Sequence, residues 1–143
     1  MEIAKPKLTL TSDPDAAARG VVLDQLVAFN VGRAGAHGRT PLAVLIEDPR
    51  TGAVVGGLWG RTSWRWLTIE TLFVPEAHRA AGLGSDIVGR AEREAVRRGC
   101  IGAWVDTHSF QAPGFYERMG YRRFGEIDDY PPGHARVFLL KRF

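Results

Sequence analysis

A change of period halfway along the chain constrains its fold most. Trp64 to Val74 reads as one long β-type run ending at Pro75, whereas Ser85 to Arg98 places Ile87, Val88, Ala91 and Ala95 on a single helical stripe. Asp86 with Arg90 and Glu94 with Arg98 are i,i+4 pairs in the favourable order, and Gly99 follows as a C-terminal stop. Between strand and helix lies Arg79-Ala80-Ala81-Gly82-Leu83-Gly84. Glycines there let the backbone approach a ligand, and the following helix presents unpaired N–H groups and the positive end of its dipole, a cradle for phosphate. Such turns also occur for packing alone. This one is not a Walker loop, since no Gly-Lys-Ser/Thr follows, and it lacks the first glycine of the dinucleotide fingerprint.

The remaining segments can be placed around this junction. Lys7 to Thr11 alternates polar with apolar and predicts a strand; Ser12-Asp13-Pro14 then caps a helix from Asp15 to about Gly32, followed by a loop to Thr40. Leu42 to Glu47 and Ala53 to Trp59 form a hairpin across Asp48-Pro49-Arg50-Thr51-Gly52, with a second turn at Arg61-Thr62-Ser63 before the long strand. Downstream, Ile101 to Val105 reads as a buried strand, Gln111 to Met119 as a short helix closed by Gly120, and Tyr121 to Ile127 and Val137 to Lys141 as strands. That succession is a mixed αβ protein, α+β rather than doubly wound.

With 143 residues, 45% hydrophobic and 24% charged, the chain fits one globular domain, 1–143, and neither disorder nor fibrous repeats. The net charge of +3 comes from 16 Arg and 3 Lys against 16 acidic residues and is spread along the chain. It demands no nucleic acid and suits an anionic small molecule equally well. Cys100 is the only cysteine, so an intrachain disulfide is excluded. No apolar signal core or membrane-length run is present, and the expectation is a cytoplasmic protein without a membrane partner.

Arg-x-x-Gly-x-Gly after Leu72-Phe73-Val74-Pro75, followed some thirty residues on by Ala112-x-x-Phe115-Tyr116-x-x-x-Gly120-Tyr121, resembles the acetyl-CoA-dependent N-acetyltransferases of the GNAT superfamily. The resemblance is close from Leu42 to Phe143 and covers the first strand and helix in outline. Asp106 to Tyr116 and Asp129-Tyr130-Pro131-Pro132-Gly133-His134 are similar to a bacterial subgroup of it. The resemblance implies a central, mostly antiparallel, splayed seven-stranded sheet flanked by helices. It implies acetyl-CoA as cosubstrate, direct transfer to a primary amine on a small molecule or peptide, and no metal. The backbone amides of Arg79, Ala80, Ala81, Gly82, Leu83, Gly84 and Ser85 would hold the pyrophosphate, and main-chain groups of Leu72, Phe73 and Val74 would pair with pantetheine as a further strand.

Direct transfer needs a deprotonated amine and a proton for the departing thiolate, and no covalent enzyme intermediate. Tyr116 stands where the family has its general acid, a phenol protonated at neutral pH; it is also placed to pack beside Phe115 and Met119. Glu70, a carboxylate inside an otherwise apolar strand, is the candidate base or an exposed partner of an arginine. Thr68, two residues earlier on the same strand face, stands where some relatives carry the acid. Many relatives have an asparagine three residues before the alanine of the second motif; Ser109 stands there and, with His108, is a candidate cofactor or substrate contact.

His37, His78, His108 and His134 are scattered and predict no metal site. Trp59, Trp64 and Trp66 either line an acceptor pocket or pack between strands. The Tyr130-Pro131-Pro132-Gly133 loop either overhangs the acceptor site or supports a homodimer. Two rival functions are a noncatalytic acyl-CoA-binding module and an RNA-binding surface built on Arg97-Arg98, Arg122-Arg123 and Lys141-Arg142.

Overall fold

A computed structural model describes residues 1–143. They fall into two compact units, Met1–His37 and Gly38–Phe143. In the first, Asp15 caps helix α1 (Ala16–Ala34), its carboxylate accepting from the Ala17 N–H at 3.0 Å, and Gly35 ends it at φ 83°. Lys7–Thr11 forms no strand, so the sheet has six strands and not the seven expected. Period-2 alternation creates a strand only where a neighbour completes the ladder, and Leu8 and Leu10 remain exposed.

The second unit is built on a sheet of β1 (Thr40–Glu47), β2 (Val54–Ser63), β3 (Trp66–Phe73), β4 (Gly102–His108), β5 (Arg122–Asp128) and β6 (Ala135–Arg142), in the order β1-β2-β3-β4-β6-β5. All neighbours are antiparallel except β3 and β4. The β1–β2 hairpin turns where Asp48 and Gly52 predict it, with Asp48 Oδ1 accepting from the Arg50 N–H at 2.7 Å. The next turn comes later than expected. β2 runs through Arg61-Thr62-Ser63, and the reversal falls on Trp64 and Arg65 at φ 45° and 63°. Residues so unlike the usual Asn-Gly give no local signal; long-range bonds hold the turn instead, from Arg65 Nε to the Gly99 carbonyl at 3.1 Å and from the Ile101 N–H to the Arg65 carbonyl at 2.8 Å.

Helix α2 (Leu83–Arg97) buries the expected stripe of Ile87, Val88, Ala91 and Ala95 in a core that also holds Leu58, Leu67, Val137 and Leu139. Each large side chain so buried contributes about 1.5–3 kcal/mol. Polar ties fix the helix to the sheet: Arg98 donates to the Pro41 carbonyl at 3.0 Å and to Thr62 Oγ1 at 3.1 Å. Glu92 accepts from Tyr121 Oη at 2.9 Å and from Lys141 Nζ at 3.1 Å.

The relation between β3 and β4 positions the site. They pair over four positions only, from Trp66 opposite Gly102 to Ile69 opposite Val105. Beyond that, β3 stays with β2 and β4 stays with β6, so the sheet opens as the splayed architecture requires. A bulge on β3 lies at the fork: Ile69 faces Gly60 and Thr71 faces Trp59, leaving Glu70 as the extra residue.

Candidate active site

Past Ile69 and Val105 a cleft of about 890 Å³ opens between the two strands. Of the residues singled out in the sequence, Glu70, Leu72, Phe73 and Val74 line it from β3, and Tyr116 lines it from helix α3 (Pro113–Arg118). Arg79, Gly82, Gly84 and Ser85 line it from the glycine loop. Ala80, Ala81, Leu83 and Ser109 lie outside that lining. Ala80 and Ala81 belong to a 3-10 turn, Glu76–Ala81, and Leu83 packs against the core.

The two glycines serve different ends. Gly82 takes the left-handed conformation at φ 71°, which lets the 3-10 turn run directly into α2. A Cβ on Gly84 would stand 3.3 Å from the Phe115 ring, so Gly84 lets α3 approach the first turn of α2. The N–H groups of that turn have no helical acceptors, and Gly84 and Ser85 of the turn lie at the cleft. Arg79 folds back over β3: its Nε donates to the Val74 carbonyl at 2.8 Å, and its guanidinium stands 5.6 Å above the Phe73 ring.

The bulge holds Glu70 at the fork with its Oε1 on Arg61 Nη1. Arg61 stands opposite Thr68, which is buried, and its own Nε is buried without an acceptor. Tyr116 is 5% exposed and meets Phe115 and Tyr121 edge to face, with centroids 5.1 and 5.7 Å apart. Burial, helped by the charge of Asp106, pushes its phenol up to about 12. It stays protonated at neutral pH, a donor that makes no hydrogen bond within the protein.

Ser109, outside the lining, is bonded to the neighbouring strand. Its hydroxyl accepts from the Ala135 N–H at 2.9 Å and its own N–H donates to the Ala135 carbonyl at 2.7 Å, stitching the end of β4 to β6. Gln111 lines the cleft instead. Its Oε1 accepts from Thr107 Oγ1 at 3.0 Å and the His108 N–H at 2.8 Å, and lies 3.2 Å from His108 Nδ1. Asp106, also at the cleft, is clamped by Arg136, with Nε at 2.8 Å. Phe110 reaches the cleft from a stack in which His108 lies between Phe110 at 5.2 Å and Tyr130 at 5.9 Å. Apolar Ile101 to Val105 reads as the whole strand, so these polar residues on its extension look like loop. Trp59, Trp64 and Trp66 lie outside the cleft lining; the Trp66 ring covers Gly102. Cys100 is a core residue, its thiol raised by burial.

A family model described as the acetyltransferase (GNAT) family matches residues 14–121. An acetyltransferase of Agrobacterium fabrum is 38% identical over 134 residues, 94% of this chain and 97% of its own length. A blasticidin-S acetyltransferase of Streptomyces morookaense is 50% identical over 91 residues, 63% of this chain and 67% of its own. The crystal structure of a candidate acetyltransferase from Agrobacterium tumefaciens superposes with a TM-score of 0.91 at 37% identity, covering 96% of this chain and 100% of that one. At the level of fold alone, an aminoglycoside 6'-N-acetyltransferase complexed with coenzyme A superposes with a TM-score of 0.60 at 17% identity, covering 71% of this chain and 72% of that one.

Proposed function

The chain belongs to the GNAT acetyltransferase family and is an acyltransferase, and on that premise we propose that residues 1–143 act as a single domain transferring acetyl from acetyl-CoA directly to a primary amine of a small molecule. The observation that carries the reading is the fork itself: the sheet loses its pairing after four rungs, and the gap lies beside the first turn of α2. Extended pantetheine fits between strands that no longer bond to each other, and pyrophosphate fits first-turn amides that no helical carbonyl accepts.

The chain's own groups then divide the work. Gly82 and Gly84 admit the phosphates to the backbone of Leu83, Gly84 and Ser85, and the cationic Arg79 stands at the same mouth. Main-chain groups at the edge formed by Leu72, Phe73 and Val74 pair with pantetheine, and Arg79 Nε, which donates to the Val74 carbonyl, holds that edge. The acetyl thioester supplies an activated carbonyl. As the acceptor nitrogen bonds to that carbon and the carbon–sulfur bond breaks, the amine proton passes to the Glu70 carboxylate, directly or through water, and the Tyr116 hydroxyl gives its proton to the departing sulfur. A phenol held at about 12 by burial is fully protonated at neutral pH.

Similarity to the blasticidin-S acetyltransferase supports a small-molecule amine over a peptide. Isothermal titration with acetyl-CoA, followed by assay of free thiol across a panel of small amines, tests the reading. Absence of binding by folded protein overturns it, and binding without turnover of any amine overturns the transfer step.

A further inference from the structure

We propose that Asp106 determines the choice of acceptor: its carboxylate binds a second, cationic nitrogen of the substrate, so the preferred acceptor is a small amine that carries two positive charges. The inference rests on the reading that acetyl transfer takes place at the fork. Ile69 and Val105 form the last rung between β3 and β4, and both lie in the core. Glu70 and Asp106 come next on the two strands and stand on either side of the opening, where both line the cleft.

Each of these carboxylates is held by an arginine through one oxygen only. Glu70 Oε1 meets Arg61 Nη1, and Asp106 Oδ1 takes both Arg136 Nε at 2.8 Å and Arg136 Nη2 at 2.6 Å. Asp106 Oδ2 is left without a hydrogen-bond partner in the protein. Tyr116 points independently to a ligand in the same space. It is 5% exposed and lines the cleft, and its hydroxyl bonds to nothing in the protein. Burial and, after it, the charge of Asp106 raise its phenol, so the carboxylate acts on the place where the acid stands. Arg79, by contrast, lies at the far end of β3 against Phe73 and Val74. The cleft is thus cationic at that end and carries two carboxylates at the fork. One carboxylate suffices to take the proton of the reacting nitrogen. A second across the opening, with an unused oxygen, suits a nitrogen that keeps its charge.

The test divides the small-amine panel into monocations and dications of matched length, such as butylamine and diaminobutane or pentylamine and diaminopentane, and follows release of free thiol from acetyl-CoA. In the wild type, kcat/KM for the dication of a pair is expected to exceed that for the monocation by about tenfold or more, chiefly through KM. Asp106→Asn should bring that ratio to about one, and Asp106→Ser does the same should the first variant not fold. Arg136→Met, which removes the clamp and leaves the carboxylate, should not lower it. A ratio taken within one variant cancels any shared loss of folded enzyme, so a merely structural bridge between Asp106 and Arg136 would not move it. Monocations used as well as dications by the wild type overturn the proposal without any variant. So does a ratio that survives loss of the Asp106 carboxylate, or one that falls equally in Arg136→Met. Absence of thiol release with every amine falls on the transfer reading and takes this inference with it, whereas turnover without preference overturns the role of Asp106 alone.

Discussion

Arg61 and Glu70 meet across the β2–β3 bulge, so the carboxylate at the fork is held by a guanidinium whose own Nε is buried without an acceptor. Glu70→Gln removes the proton acceptor while keeping the shape. The expected result is a fall in kcat of about 10²- to 10⁴-fold, with acetyl-CoA affinity unchanged. Because both side chains are about one-third exposed, at 31% and 38%, the lost ion pair costs about 1 kcal/mol or less. Steady-state kinetics beside a thermal melt separates the two effects; an unchanged kcat would remove Glu70 from the mechanism.

Tyr116→Phe deletes a hydroxyl that makes no hydrogen bond within the protein, so its melting temperature should stay close to that of the wild type. Thiol release is expected to slow by about 10²- to 10⁴-fold at unchanged acetyl-CoA affinity. The pH dependence follows from burial. A free phenol titrates near about 10 and this one at about 12, so the folded state holds the proton more tightly. The stability this contributes is complete below about pH 10 and is lost as pH rises through about 12. Spectrophotometric titration of phenolate should therefore show a late tyrosine in the wild type that is missing from the variant.

Gly84→Val would drive a branched side chain into Phe115, where even a Cβ stands 3.3 Å from the ring. The first turn of α2 and α3 must then separate. Titration is expected to show acetyl-CoA affinity lower by at least about tenfold, the loss of more than one hydrogen bond. An unchanged affinity would mean that the cradle does not depend on this contact.

Lys141→Met leaves Glu92, whose side chain is 12% exposed, with only the Tyr121 hydroxyl. An uncompensated, nearly buried carboxylate is expected to cost about 2 kcal/mol, lowering the melting temperature by about 4–8 °C. Glu92→Gln in the same background should recover part of it. Additive losses in the double-mutant cycle would show that the two side chains are not coupled.

The sheet, the α2 stripe and the glycine loop were legible because each rests on a local signal: alternation, 3.6-residue spacing, or glycine between the two. What was not legible depends on partners far along the chain. The turn at Trp64 and Arg65 is stabilised by Gly99 and Ile101, and Lys7–Thr11 has the alternation of a strand but no ladder to join. Of the cleft lining, Glu70 and Tyr116 were singled out from their motif positions, whereas Gln111 was not, because its orientation is set by Thr107 and His108 on a part of β4 that reads as loop.

The four rungs between β3 and β4 also make this sheet two ribbons joined by a short seam. A ligand laid into the gap would continue the seam as a removable staple, so the cohesion of the sheet would vary with ligand concentration. Amide protons on the edge of β3 that faces the gap should then exchange at rates that report the concentration of acetyl-CoA, and the protein's melting temperature should rise with the logarithm of that concentration.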